Sequence, residues 1–145
     1  MISEPSNQFS KWEPISGIDS PCADLSFNYQ GSDDLTVTMY FTRVKNGIPR
    51  DLVIKFHGVI SVRWMDECCS MIAVRLQPPP VLEGRFSGWT FPLLQSDSTA
   101  YLAEYQKGNP PLAKGRKHFY LVCMNDLLDV LALPDVEATW VEGSK

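Results

Sequence analysis

Between Leu25 and Trp64 apolar side chains recur at almost every second residue, the period of extended strands with one face turned inward. Leu25, Phe27 and Tyr29 alternate with Ser26, Asn28 and Gln30, and Gly31, Ser32 and Asp33 close that segment as a turn. Leu35, Val37, Met39 and Phe41 alternate with Thr36, Thr38, Tyr40 and Thr42. Leu52, Ile54, Phe56, Ile60, Val62 and Trp64 alternate with Val53, Lys55, His57, Val59, Ser61 and Arg63. β-Branched and aromatic residues fill these runs, as packing on a pleated surface favours. Asn46-Gly47 marks an antiparallel pair between the second and third runs, with Pro49 lengthening the loop beyond two residues. Gly58 stands where the apolar series would put a side chain, so a bulge or strong bend is expected there.

The flanking segments are less regular. Residues 1–22 carry Pro5, Pro14, Pro21 and Gly17 among Phe9 and Trp12, and read as an irregular arm laid over the domain. Residues 65–76 fit strands around a Glu67 to Ser70 turn, or a helix with Met65, Cys69, Ile72 and Leu76 on one stripe; strands are favoured. Pro78, Pro79 and Pro80 begin a connector that Gly84, Gly88 and Pro92 keep mostly irregular over 77–95. A helix fits Ser98 to Lys107, with Ser96 or Asp97 as N-cap, Tyr101, Leu102 and Tyr105 inward and Gly108 at the C-cap; Pro110 and Pro111 forbid continuation. The remainder reads as a meander of strands near 117–124, 127–133 and 136–142, with Asn125-Asp126 and Pro134-Asp135 as turns. The expected fold is therefore α+β: one antiparallel sheet of about six or seven strands, one short helix on one face and an irregular N-terminal arm, in a single domain over 1–145. A chain of 145 residues can bury a core without metal or disulfide staples.

Charge narrows the partners. Thirteen basic and seventeen acidic residues give a formal charge of −4, the wrong sign for attraction to a phosphate backbone, so nucleic acid is not expected. The apolar runs are too short to span a bilayer, and the N-terminus lacks the basic and apolar regions of a secretory signal; a cytoplasmic location is expected. Residues 1–42 hold one base, Lys11, against six acids, whereas 43–117 hold eleven bases and six acids, and 118–145 are acidic again. Such an arrangement either brings acidic and basic strands together or gives two oppositely charged faces, one of which meets a partner.

No residue pattern announces catalysis. The histidines are His57, on the polar side of its strand, and His118, at the start of another. The stretch Gly84-Arg-Phe-Ser-Gly88 has the wrong spacing for a nucleophile elbow, and no phosphate-binding glycine motif occurs. No spacing of His, Cys or carboxylates signals a metal; adjacent Asp66 and Glu67 would point to opposite faces of a strand. Thus no catalytic residue, cofactor or metal is expected. Cys22, Cys68, Cys69 and Cys123 read as free buried thiols. A redox-sensing role for Cys68 or Cys69 is disfavoured, because Asp66 and Glu67 would raise a thiol pKa. The candidate partner surface is Arg85, Trp89 and Phe91, in a proline- and glycine-rich loop, with Lys114, Arg116 and Lys117 of a basic cluster. The aromatics of that group have an alternative use as a plug at the end of the sheet.

The stretch from His118 to Ala132, followed by Val136 to Trp140 and preceded by the Asp97 to Tyr105 helix, resembles the closing strands of small uncharacterised bacterial proteins, some of which resemble immunity proteins of polymorphic toxin systems. The resemblance covers about the last third of the chain and implies a fold and a protein-binding role; it implies no catalytic residue. The expected function is a non-enzymatic protein-binding domain of the immunity type. An enzyme or small-ligand binder with a pocket near His57 or His118, and a structural subunit self-associating through a sheet edge, are the alternatives.

Overall fold

The computed structural model describes residues 8–18, 22, 24–30, 34–41, 50–66, 81–82, 92–107, 114–123 and 126–142. Ten strands and one helix run in the order β1 (Gln8–Lys11), β2 (Asp24–Gln30), β3 (Asp34–Phe41), β4 (Arg50–Phe56), β5 (Ser61–Asp66), β6 (Val81–Leu82), β7 (Leu93–Ser96), α1 (Ala100–Gln106), β8 (Lys117–Val122), β9 (Asp126–Ala132) and β10 (Glu137–Glu142). The strands form two sheets, of order β5-β9-β8-β7-β1-β6 and β10-β4-β3-β2. Neighbours are antiparallel apart from the short parallel pair β1 and β6.

The sheets face each other across one shared core. Leu35, Val37, Met39, Leu52, Ile54 and Phe56 point into it from the four-stranded sheet; Leu93, Phe119, Leu121, Leu128, Val130 and Ala132 answer from the six-stranded one. Trp12 lies between them, its ring centroid 5.9 Å from that of Phe56 and 4.6 Å from that of Phe119. Each large side chain buried this way stabilises the fold by about 1.5–3 kcal/mol relative to exposure.

The expected antiparallel pairing of the second and third runs is present as β3 with β4, Met39 opposite Leu52 and Val37 opposite Ile54. The single sheet is not: the alternating run from Leu52 to Trp64 divides at Gly58, so that β4 belongs to one sheet and β5 to the other. Gly58 has φ +60°, and a Cβ there would lie 2.6 Å from Leu133 Cδ1. The second crossing lies beside the first, after β9, where Leu133 N–H donates to His57 O at 3.0 Å. The C-terminal meander is corrected accordingly, for β10 leaves β9 and pairs with β4, Ala138 opposite Ile54.

The N-terminal arm is more regular than expected, since β1 adds to the six-stranded sheet beside β7. Residues 12–18 then close one side of the sandwich. Trp12 and Ile18 are buried there, Trp140 Nε1–H donates to Ser16 O, and Arg50 reaches Gly17 O while its guanidinium lies 4.0 Å from the Trp140 ring centroid. Within 77–95, expected to be mostly irregular, β6 and the start of β7 are strands. Most of the ambiguous 65–76 segment lies outside the described residues; Met65 and Asp66 end β5.

The outer face of the six-stranded sheet carries apolar residues as well as polar ones, and α1 packs there, burying Leu102 against Leu131 with Tyr101, Tyr105 and Ile60 around them. The helix starts later than expected: Thr99, not Ser96 or Asp97, is the N-cap, its Oγ1 accepting from Leu102 N at 3.1 Å. Among the described residues no helix is long and apolar enough to cross a membrane.

Candidate functional site

Under α1 lies a chain of polar groups, with Thr99, His118 and Asp129 buried and Arg63 half-buried. Arg63 on β5, Asp129 on β9 and His118 on β8 are brought into line by strand register, Arg63 opposite Asp129 and His118 opposite Leu131. Arg63 Nε donates to Asp129 Oδ2 at 3.0 Å. His118 Nε2 lies 2.5 Å from Asp129 Oδ1, and His118 Nδ1 lies 2.8 Å from Thr99 Oγ1. With Nε2–H donating to Asp129, Nδ1 accepts the Thr99 hydroxyl proton while Thr99 Oγ1 accepts from Leu102 N–H, so both imidazole nitrogens and the Thr99 hydroxyl are satisfied. Phe9 and Tyr101 meet the His118 ring at 5.0 and 5.2 Å between centroids. Arg63 also stacks on Tyr101, 4.2 Å from guanidinium carbon to ring centroid. Ser61 Oγ hydrogen-bonds Tyr101 and accepts from Tyr105 OH at 2.9 Å. Burial pushes the Tyr101 phenol up to about 12, which keeps it a neutral partner.

Threonine, histidine and aspartate in this order have the connectivity of a nucleophile, its base and a carboxylate. Thr99 is nevertheless only 2% exposed and its oxygen caps the helix. A substrate would have to displace α1 to reach it. The arrangement holds α1 on the sheet.

The second histidine has a different setting. His57, just after β4, stands between Glu137 on β10, with Nε2 2.8 Å from Oε2, and Asp34 on β3, with Nδ1 3.2 Å from Oδ1. The Glu137 and Asp34 hydrogen bonds raise its pKa. These pairs and the Arg63–Asp129 pair bring the basic middle of the chain against both acidic ends.

The side of the sandwich opposite residues 12–18 is bordered by β2 and β5, the terminal strands of their sheets. At one end Trp64 Nε1–H donates to Asp126 Oδ1 at 3.0 Å, and Asp126 hydrogen-bonds Asp24. At the other, Tyr29 lies near Tyr105, and burial raises its phenol pKa. Phe27 is 39% exposed, Tyr29 49% and Trp64 49%, three of the four large hydrophobic residues that are exposed among the described residues. Burial, reinforced by the Asp24 hydrogen bond, raises the Asp126 pKa.

No family model, curated protein or solved structure matches this chain.

The residues expected to form a partner surface fall in two groups. Arg85, Trp89 and Phe91 lie outside the described residues, as do Cys68 and Cys69. Lys114 is exposed at the turn before β8. Arg116 is half-buried and acts as a staple, Nε donating to Gly58 O and Nη1 to Lys114 O, both at 3.0 Å. Lys117 reaches Gln95 Oε1 at 3.4 Å. The basic cluster therefore spends part of its charge bracing the Gly58 corner. Phe27, Tyr29 and Trp64 escape sequence reasoning because they follow the same alternation as core residues. The remaining signal is position: each is on a strand that ends its sheet. Among the described residues no group of three or more His, Cys, Asp or Glu side chains is arranged to hold a metal ion.

Proposed function

We propose that this chain is a non-enzymatic protein-binding domain that covers a partner protein with the β2/β5 side of its sandwich, in the manner of a bacterial immunity protein. The observation that carries the reading is the exposure of Phe27, Tyr29 and Trp64 together along one side. Aromatic side chains that bury large area at little entropic cost supply most of the binding energy in protein interfaces. The Asp24 and Asp126 carboxyls at the end of this side favour a partner whose facing groups are basic or donate hydrogen bonds. The resemblance of residues 118–140 to small bacterial proteins, some of which resemble immunity proteins, supports the same class. Co-expression with the product of the adjacent gene tests it: a co-purifying complex and relief of growth inhibition are expected, and neither complex nor protection would overturn it.

One observation favours a second reading, self-association. Among the described residues no strand pairs with the outer edge of β2, beside Phe27 and Tyr29, and a second copy adding a strand there would extend the sheet. Sedimentation at several concentrations separates the two, because a concentration-dependent dimer is expected from self-association alone.

A further inference from the structure

The polar chain under α1 and the aromatic side leave two cysteine thiols unused among the described residues. Cys22 precedes β2 in the four-stranded sheet and Cys123 follows β8 in the six-stranded one, and their backbones meet in an isolated parallel bridge. Neighbouring strands lie about 4.8 Å apart, within the roughly 4.4–6.8 Å that a disulfide spans between Cα atoms. Both residues are free buried thiols, and the Cys123 thiol faces that of Cys22. Cys22 Sγ–H is further held against Asp24 O at 3.1 Å and Tyr40 O at 3.5 Å. The register that brings β2 beside the end of β8 has therefore placed two sulfurs together where sequence shows only two cysteines 101 positions apart.

We propose that Cys22 and Cys123 are a dithiol–disulfide pair that a small-molecule disulfide such as oxidised glutathione converts into a covalent link between the two sheets. One cysteine thiolate attacks a sulfur of the oxidant and releases one glutathione; the other cysteine thiolate then displaces the second. Two S–H bonds are lost from the protein and one S–S bond forms. The oxidant's S–S bond breaks, and its two thiolates take up the two protons and the electron pair. The cross-link closes a loop on the order of 100 residues, long enough to restrict the unfolded chain strongly.

Burial, with contributions from Cys22 and the Asp126 and Asp24 carboxyls, pushes the Cys123 thiol up. The folded dithiol therefore reacts slowly, and the bond forms during folding or local opening. Once made, it is shielded from reductant by the same burial. This inference stands apart from the binding reading, since it needs no partner.

Native chain, and chain refolded from denaturant, are each incubated with oxidised glutathione, quenched with acid, alkylated and mapped by peptide mass spectrometry. The expected product is about 2 Da lighter than the dithiol and yields a peptide joining Cys22 to Cys123. Its melting temperature is raised by several degrees, and dithiothreitol applied in denaturant, where the bond is no longer shielded, abolishes the gain on refolding. The same maps report any bond to Cys68 or Cys69, and a chain carrying Cys68→Ser and Cys69→Ser is expected to behave as the parent does. The proposal is overturned if Cys22 and Cys123 stay alkylatable or carry glutathione alone in both preparations. Linkage of either one to Cys68 or Cys69 instead, or a linked product that melts below the dithiol, overturns it equally.

Discussion

Asp129 is the residue whose loss should be felt most. It accepts from both Arg63 and His118 in a buried setting, so Asp129→Ala leaves two polar groups without their partner. A cost of about 3 kcal/mol is expected in chemical denaturation, with far-UV dichroism still reporting β-structure. Asp126 predicts the opposite sign. Its pKa is raised in the folded state, so the folded chain holds that proton more tightly than the unfolded one. Its contribution is fully present below the unfolded carboxylate pKa and is lost as pH rises through the folded value. Asp24→Asn should therefore raise the melting temperature near pH 7, and the gain should fade as pH falls below the unfolded carboxylate pKa, where Asp126 is protonated in either state. A variant no more stable at neutral pH would count against the carboxyl pair. His57 behaves differently again: its raised pKa makes the Asp34 and Glu137 pairs stabilising below about pH 6.5, a contribution lost as pH rises through the folded value. The pairs are solvent-exposed, so no more than about 1 kcal/mol is involved. His57→Gln should flatten the pH dependence of melting over that window.

At the scale of elements, Gly58 decides the architecture. It lets one alternating run serve two sheets, because a left-handed residue without Cβ turns the chain where Leu133 crowds it. Gly58→Ala is expected to cost about 2–3 kcal/mol, from left-handed strain and displacement of Leu133. Gly115→Ala, with φ +74° and no atom of the described residues within 4 Å of the new Cβ, should cost only about 1 kcal/mol. Equal losses in the two denaturation curves would refute the steric role of Leu133. The alternation in β2, β3 and β4 and the bend at Gly58 are legible in sequence because a half-buried strand writes its inner face at every second residue. Sheet membership is not, since Ile54 and Val62 carry the same apolar signal whichever sheet receives them. β8 hides more, because His118 and Phe119 are both buried, one beneath α1 and the other in the shared core. The N-cap is ambiguous in sequence for a similar reason: Ser96, Asp97 and Thr99 are all competent caps, and Thr99, which caps Leu102 N, is also held by His118, a residue distant in sequence.

For the whole molecule, the two open sides of the sandwich are treated differently. Residues 12–18 seal one with Trp12, Ile18 and the Ser16 and Gly17 contacts to Trp140 and Arg50, while Phe27, Tyr29 and Trp64 remain exposed on the other. A sequence can place these aromatics on an apolar strand face, but not at the margin of a sheet, because strand order is set by pairings between distant segments. The central claim is that this side meets the partner. Amide hydrogen exchange, measured with and without the product of the adjacent gene, tests it most directly. The account predicts slower exchange concentrated in residues 24–30 and 61–66, with the α1 face unchanged. Protection confined to the α1 face or to residues 114–117, or an exchange pattern the added protein leaves unaltered, would contradict it.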